Sequence, residues 1–489
     1  MRSSFNCTVV SSLWSTETMA QSSDEEKRRK NGKPSPDISL IPELVSAVWL
    51  LQLDFESIVQ LESYDDANFY LRTAPTKLEH GGNPSSVSGT EYLIKFHNAV
   101  ESDNPDVLRG ISLLLTRIST YDRKIRICDF SHPLVPVPLK IRSKCAAYSR
   151  PLNPSSIDRN DELDDTAYSR IHSINEGTDA LNIASRLFRW IPGPTLDKAT
   201  MVTSATPKLM INLGFSLGSI TNSLEGFDHP AFHREHCWDL QNFASTYTMF
   251  SIFVIESDVK DLIDLVFKNF VEQVMPVAHH FRQSVIMGDC NDANVITNIE
   301  MTAVTGIIDF GDAVYTWTIN EIAIAMAYAL LTAYGQMEPL KCIACIFGGY
   351  ISATSESHSS NSNMKDEINL PHLDDKRVFE YGCLHTLICM RLCLSIMIGS
   401  FSISKDPSNE YLKLHSYPSK QALKMLMKGA DIRSSAETND SNNEVNQKCL
   451  SFSVLSNVIS KINSLDISKA TNSIDLVTLI ADATHHDQL

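Results

Sequence analysis

From Leu40 to Leu53, short apolar clusters alternate with sparse charge, the spacing of an amphipathic helix. The stretch "SIVQLESYDDANFYLRT" then reads as strand, polar turn and strand, and "TEYLIKFHN" as a further strand with Lys95 near its end. Asn104-Pro105-Asp106 is a helix start, and "VLRGISLLLTRI" supplies apolar positions on one helical face. Between Ser143 and Ala180 the chain turns polar and turn-prone, as in "SKCAAYSRPLNPSSIDRNDELDDTAYSR", which predicts an inserted loop rather than a core element. "ASRLFRWIPGPTL" follows as a short apolar strand stopped by Pro192-Gly193-Pro194, a connection suited to joining two lobes.

Beyond that connection most elements read as helices. The longest apolar ones are "NEIAIAMAYALLTAYG", short for a membrane span, and "CLHTLICMRLCLSIMIGSF", which contains His385 and Arg391; both are expected to be buried helices, with no transmembrane helix. "SATSESHSSNSNMKDE" reads as a polar loop, and "RSSAETNDSNNEVNQK" separates the globular part from a tail. The expected division is a disordered leader over 1–37, an N-lobe over 38–194 with the inserted loop near 143–180, a helical C-lobe over 195–430, and a polar linker and tail over 431–489. No internal repeat is visible.

Composition narrows the function. With 489 residues, 43% of them hydrophobic and 20% charged, the chain can bury a large core. A formal charge of −16 argues against nucleic acid or an anionic membrane as partner, and weakly favours a substrate bearing an amine. Eleven cysteines without CxxC pairs, an odd number, fit reduced thiols in a cytoplasmic protein. The N-terminal stretch lacks the apolar core of a signal peptide. Nothing in the residues specifies an oligomeric state.

Candidate chemistry sits in "SVIMGDCNDANVITN", Ser284 to Asn298, where Asp289 and Asn294 form a D-x-x-x-x-N pattern, and in "GIIDFGD", an apolar run ending at Asp309-Phe310-Gly311-Asp312. Phosphoryl transfer needs this order: one carboxylate, Asp289, takes or orients the proton of the attacking hydroxyl, while a carboxamide oxygen, Asn294, and a second carboxylate, Asp309, hold magnesium against nucleotide phosphates. Each half alone is more often a structural turn. Together, with Lys95 upstream on a strand where a lysine can reach nucleotide phosphates, they point to a kinase-type site. No glycine-serine nucleophile motif or Cys/His dyad suggests a hydrolase.

These motifs, with "SYDDANF", "NPDVL", "WIPGPTL", "FDHPAFHREHCWDL" and "YGCLHTLICMRLCLSIMIGSFSISKDPSNEYL", resemble the hydroxylysine kinases, a family within the aminoglycoside phosphotransferase superfamily of kinase-like folds. The resemblance runs from about Pro42 to Gly429, excluding the inserted loop. It implies a bilobal α+β fold, with a small antiparallel-sheet N-lobe, a mostly helical C-lobe and nucleotide between the lobes. It also implies transfer of the terminal phosphate of GTP (or ATP), with Mg2+, to the side-chain hydroxyl of 5-hydroxy-L-lysine, in lysine and hydroxylysine catabolism. Asp289 falls on the family's proton acceptor, and Asn294 and Asp309 on the superfamily's metal ligands.

Other positions stay open. The front turn has no GxGxxG; Ser63 is a candidate for phosphate contact, whereas Asp65, Asp66 and Asn68 are as readily turn-shaping. Two positions depart from the family pattern: Met287 stands where His is usual, and Arg109 where the early helix carries a glutamate able to pair with the strand lysine, for which Asp103 or Asp106 could substitute. His233, Arg234, Glu235, Trp238 and Asp292 are substrate candidates, and His229, His233 and His236 are read as packing or hydrogen-bonding residues rather than metal ligands. A kinase of choline, homoserine or an aminoglycoside and a catalytically impaired nucleotide-binding protein remain alternatives.

Overall fold

The computed structural model describes residues 32–63, 65–74, 89–121, 140–141, 169–172, 182–333, 335–337, 339–356, 375–405 and 416–427. Residues 428–430, the linker and tail over 431–489 and most of the 143–180 insertion lie outside these residues. The expected leader is described only from Gly32, and there it belongs to the folded part: the Ala99 N–H donates to the Gly32 carbonyl (3.1 Å) and Lys33 Nζ to the Ser63 carbonyl (2.5 Å). This corrects the boundary placed at residue 37.

The chain divides at Ile191/Pro192 into a sheet unit and a mostly helical unit, the α+β organisation expected. The sheet unit contains α1 (Ile41–Trp49), β1 (Val59–Leu61), β2 (Ala67–Arg72), β3 (Glu91–Phe96), α2 (Ala99–Ser102), α3 (Pro105–Tyr121), β4 (Lys140–Ile141), β5 (Ser169–His172) and β6 (Asn182–Arg189). Strand order is β1-β2-β3-β6-β5-β4, antiparallel except for the parallel β4/β5 pair. β5 corrects the reading of 143–180 as loop throughout. Its backbone pairs with β6 from Ser169↔Ser185 to His172↔Asn182, a pairing that the polar composition of the surrounding stretch concealed.

Strand alternation sorts this unit into two faces. Phe69, Leu71, Tyr92, Ile94 and Phe96 pack against Ile41, Leu44, Val45 and Val48, the i, i+3, i+4, i+7 stripe of α1. The opposite face carries Asn68, Lys95 and Arg186 in register. Arg186 reaches α3 there, donating to the Leu108 carbonyl (3.0 Å) and to Ser112 Oγ (2.7 Å). Lys95 therefore projects from the polar side of a strand whose other side is fixed by the core.

The helical unit contains α4 (Leu196–Thr200), α5 (Pro207–Ser223), α6 (Phe243–Phe250), α7 (Ser257–Asn269), β7 (Gln283–Ile286), β8 (Val295–Thr297), β9 (Val304–Ile307), β10 (Val314–Trp317), α8 (Asn320–Thr332), α9 (Pro339–Glu356), α10 (Asp375–Gly382), α11 (Leu384–Lys405) and α12 (Ser416–Leu426). α9 runs through Ser352–Glu356, which the sequence placed in a polar loop. α5 and α9 approach at glycines: a Cβ on Gly214 would lie 1.8 Å from the Ile346 carbonyl oxygen, and one on Gly349 2.0 Å from that of Ile211. α11 is long and apolar enough to cross a membrane by length and composition, but 67% of its apolar window is buried, as in a core helix. Antiparallel pairs β7/β10 and β8/β9 carry the two loops of interest, and Ile286 and Val314 seat the first pair on Ile324 and Tyr328 of α8.

Candidate active site

β7 ends at Ile286 and the chain turns through Met287 and Gly288. Gly288 has φ +80°, and a Cβ there would stand 2.7 Å from the Asp312 carbonyl oxygen, so both backbone conformation and space require glycine. Asp289 follows, its side chain 19% exposed. Its Oδ2 accepts from Asn291 Nδ2 (2.8 Å) and Asn294 Nδ2 (3.2 Å), and its carbonyl from Asn294 Nδ2 (2.9 Å). The Asn291 side-chain oxygen accepts the Ala293 and Asn294 N–H groups, an Asx-type turn that closes the loop before β8.

The second loop is fastened to the first. Ile308 N–H donates to the Asn294 carbonyl (2.9 Å), next to the β8/β9 pair Val295↔Ile307, and Asp309 is the next residue. Asp309 has φ +64°, a left-handed conformation that Asp tolerates better than most side chains, and its Oδ1 accepts from the Gly311 N–H (3.3 Å). Burial pushes the Asp289 carboxyl above the ordinary carboxylate range; Arg391 opposes the shift, while Asp312 and Asp309 add to it. The structure thus gathers Asp289, Asn294 and Asp309, with Asp312 beside them.

This donor set fits magnesium. Asn294 turns its amide nitrogen to Asp289, which leaves its carboxamide oxygen as the acceptor, and Asp309 contributes a carboxylate. Both are hard oxygen donors, and the mutual repulsion of Asp289, Asp309 and Asp312 is what a divalent cation relieves.

At Met287, where imidazole was missing, another group holds the loop. The Met287 N–H donates to Oε2 of Glu321 on α8 (2.6 Å), and the Gly288 N–H also acts on this carboxylate. Glu321 is buried, and burial pushes its carboxyl up to about 7 against the lowering effect of these donors and Arg391. The Met287 side chain itself is fully buried packing.

Arg391 of α11 reaches Asp289: Nη2 lies 2.8 Å from Oδ1 and 3.3 Å from the Tyr328 hydroxyl, and Nη1 donates to the Trp238 carbonyl (3.1 Å). Its guanidinium carbon stands 4.7 Å from the Trp238 ring centroid and 5.3 Å from that of Tyr328. Arg234 donates to the Gly311 and Ala313 carbonyls, bracing the loop after Asp309. His236 pairs with Asp312 (3.4 Å), His233 with Asp228 (2.7 Å) and in a stack on Tyr315, and His229 accepts the Ala231 N–H.

Of the substrate candidates, Trp238 meets the Asp289 group through Arg391. Asp292 is buried and accepts from Thr332 Oγ1 at the end of α8 (3.0 Å), and Glu235 is exposed.

In the sheet unit Lys95 Nζ lies 2.7 Å from Asp66 Oδ2, both side chains nearly buried. Asp66 Oδ1 accepts the Asn98 backbone N–H (2.8 Å), and the Asn98 amide also reaches Asp65 (3.2 Å). The acidic turn therefore supplies a carboxylate partner for the strand lysine. Arg109 turns to Asp106 (3.9 Å) on α3, and Asp66 is a carboxylate partner of Lys95 that the sequence reading had not assigned. Ser63 sits in the same β1–β2 turn, its carbonyl held by Lys33.

Motif reasoning did not identify Arg391, Glu321 or Tyr328 as site residues. The available signal was a charge inside an apolar helical run, Arg391 in "LICMRLCL" and Glu321 in "NEIAIAMAY", since a buried charge demands a partner.

The description "Phosphotransferase enzyme family" matches residues 162–339. Hydroxylysine kinase of Bos taurus is 24% identical over 400 residues, 80% of this chain and 88% of that protein. Hydroxylysine kinase of Mus musculus is 24% identical over 369 residues, 73% and 81% of the two chains. Among solved structures, the GDP complex of wild-type aminoglycoside 2'-phosphotransferase-IIIa aligns with 80% of this chain and 99% of its own, at 12% identity and a TM-score of 0.45.

Proposed function

We propose that this chain, a phosphotransferase acting on an alcohol group, transfers the terminal phosphate of GTP or ATP to the side-chain hydroxyl of 5-hydroxylysine, in hydroxylysine breakdown in the cytoplasm. The observation that carries the reading is the joining of Asp289, Asn294 and Asp309 through the Asn294 side chain and the Ile308–Asn294 backbone bond, in a chain similar to hydroxylysine kinases over four-fifths of its length.

The acceptor hydroxyl meets the Asp289 carboxylate, which orients its oxygen toward the terminal phosphorus and takes its proton. A bond forms between that oxygen and phosphorus, the bond from phosphorus to the oxygen bridging the β-phosphate breaks, and nucleoside diphosphate leaves with the electron pair. Asn294 and Asp309 would hold magnesium, which when bound would supply charge neutralisation at the phosphates. Lys95, fixed by Asp66, is the cation assigned to the nucleotide phosphates, with Ser63 in the adjacent turn. The reading as a catalytically impaired protein rested on Met287 and Arg109; Glu321 and Asp66 supply the loop anchor and the lysine partner that those positions lack.

The test is turnover by the purified chain with GTP or ATP across 5-hydroxylysine, choline and homoserine. Hydroxylysine should be the preferred acceptor, and Asp289→Asn should lower kcat by about 10²–10⁴-fold. Preference for choline or homoserine overturns the substrate assignment, and full activity of Asp289→Asn overturns that of the base.

A further inference from the structure

The centre of α11 poses a question that packing does not answer. Its residues from Leu384 to Met397 are buried, and among the apolar ones stands Arg391, 2% exposed. Exchanging a buried ion pair for apolar residues of similar volume is often neutral or stabilising, so stability does not explain a cation there.

The contacts of Asp289 supply a reason. A carboxylate offers about four acceptor directions over its two oxygens. Oδ2 receives two donors, Asn291 Nδ2 and Asn294 Nδ2, and Oδ1 receives one, Arg391 Nη2. One direction remains, on the oxygen that the guanidinium holds. The guanidinium cannot turn freely, because the Trp238 carbonyl and Tyr328 hydroxyl take its Nη1 and Nη2 and the two aromatic rings flank its carbon. Without it, the Asn291 and Asn294 amides would still tether Oδ2, but the carboxylate could swing about that tether.

We propose that Arg391 is a positioning residue for phosphoryl transfer: by fixing Oδ1 of Asp289 it aims the one remaining acceptor direction at the substrate hydroxyl. The proposal rests on Asp289 as the group that receives the hydroxyl, and not on which alcohol is the substrate. Phosphoryl transfer depends chiefly on placement of the reacting atoms, and a displacement of about 1 Å can cost about 10²-fold in rate.

The experiment is a double-mutant cycle in the full chain, run with whichever alcohol the wild type phosphorylates, together with a crystal structure of Arg391→Gln. Arg391→Gln should lower kcat about 10²-fold with the nucleotide KM little changed, and Arg391→Lys should recover part of the loss. In the Asp289→Asn background, adding Arg391→Gln should produce no further loss. The crystal structure should show the Asp289 carboxylate rotated from its wild-type orientation.

Equal fold-losses in both backgrounds, or a raised KM at unchanged kcat, overturn the positioning role and leave Arg391 as a structural residue. An unmoved Asp289 in the Arg391→Gln structure overturns it for any acceptor, including when the wild type shows no turnover. Failure of the substrate reading is seen separately, as a different preferred alcohol in the wild type; failure of Asp289 itself is seen in the single Asp289→Asn variant.

Discussion

At the scale of single residues, the site is built by side chains that fix backbone as much as by those that face substrate. Glu321 accepts the N–H groups at the start of the Asp289 loop, and its carboxyl is raised from 4.5 to about 7. Between those values the folded chain holds a proton that the unfolded chain has released, so its contribution to stability is complete at low pH and is lost as pH rises through about 7. Glu321→Gln removes that titration, and its melting temperature should fall less than that of the wild type between about pH 5 and 8. Parallel melting curves across that range for the two proteins would refute it. Asp289 and Asn294 were readable from the D-x-x-x-x-N spacing, because their bonds are local. Lys95 was readable, but its partner was not: Asp66 is close in space because β2 and β3 pair Asn68 with Lys95, a register that a single sequence does not declare.

At the scale of elements, periodicity located α1, β2, β3 and α3 because each carries most of its apolar residues on one face, and the Pro192-Gly193-Pro194 stop located the apolar strand before it. It failed for β5, whose residues lie in a polar stretch, and for the last turn of α9, where Ser352, Thr354 and Ser355 read as loop. Ser352 and Thr354 instead return their hydroxyls to helix carbonyls, at Gly348 and Tyr350. The α5–α9 contact makes a sharper demand. Gly214→Ala places a methyl 1.8 Å from the Ile346 carbonyl oxygen, which backbone cannot yield cheaply, and should destabilise by about 1–3 kcal/mol in chemical denaturation. Gly399→Ala, inside α11, is the control: nothing lies within 4 Å, and replacing a mid-helix glycine there should stabilise by about 0.5–1 kcal/mol. Equal midpoints for Gly214→Ala and the wild type would contradict the close approach.

At the scale of the whole molecule, the order of motifs told more than composition did. Lys95, then Asp289 with Asn294, then Asp309 is an order of residue types that isolated acidic turns rarely produce, whereas a charge of −16 restricts only what the surface attracts. Arg391 lies far along the chain from Asp289, and only the folded helical unit reveals why an apolar helix keeps it. The same placement matters before folding. As it leaves the ribosome, the segment Leu384–Lys405 presents the membrane-insertion machinery with an apolar stretch of the right length. An arginine well inside such a stretch opposes insertion by about 2.5–3.5 kcal/mol. In an insertion reporter, this segment with Arg391→Leu should therefore enter the bilayer more efficiently than the native one. On that outcome, the guanidinium that holds Asp289 in the finished protein also serves as a topological safeguard on the nascent chain.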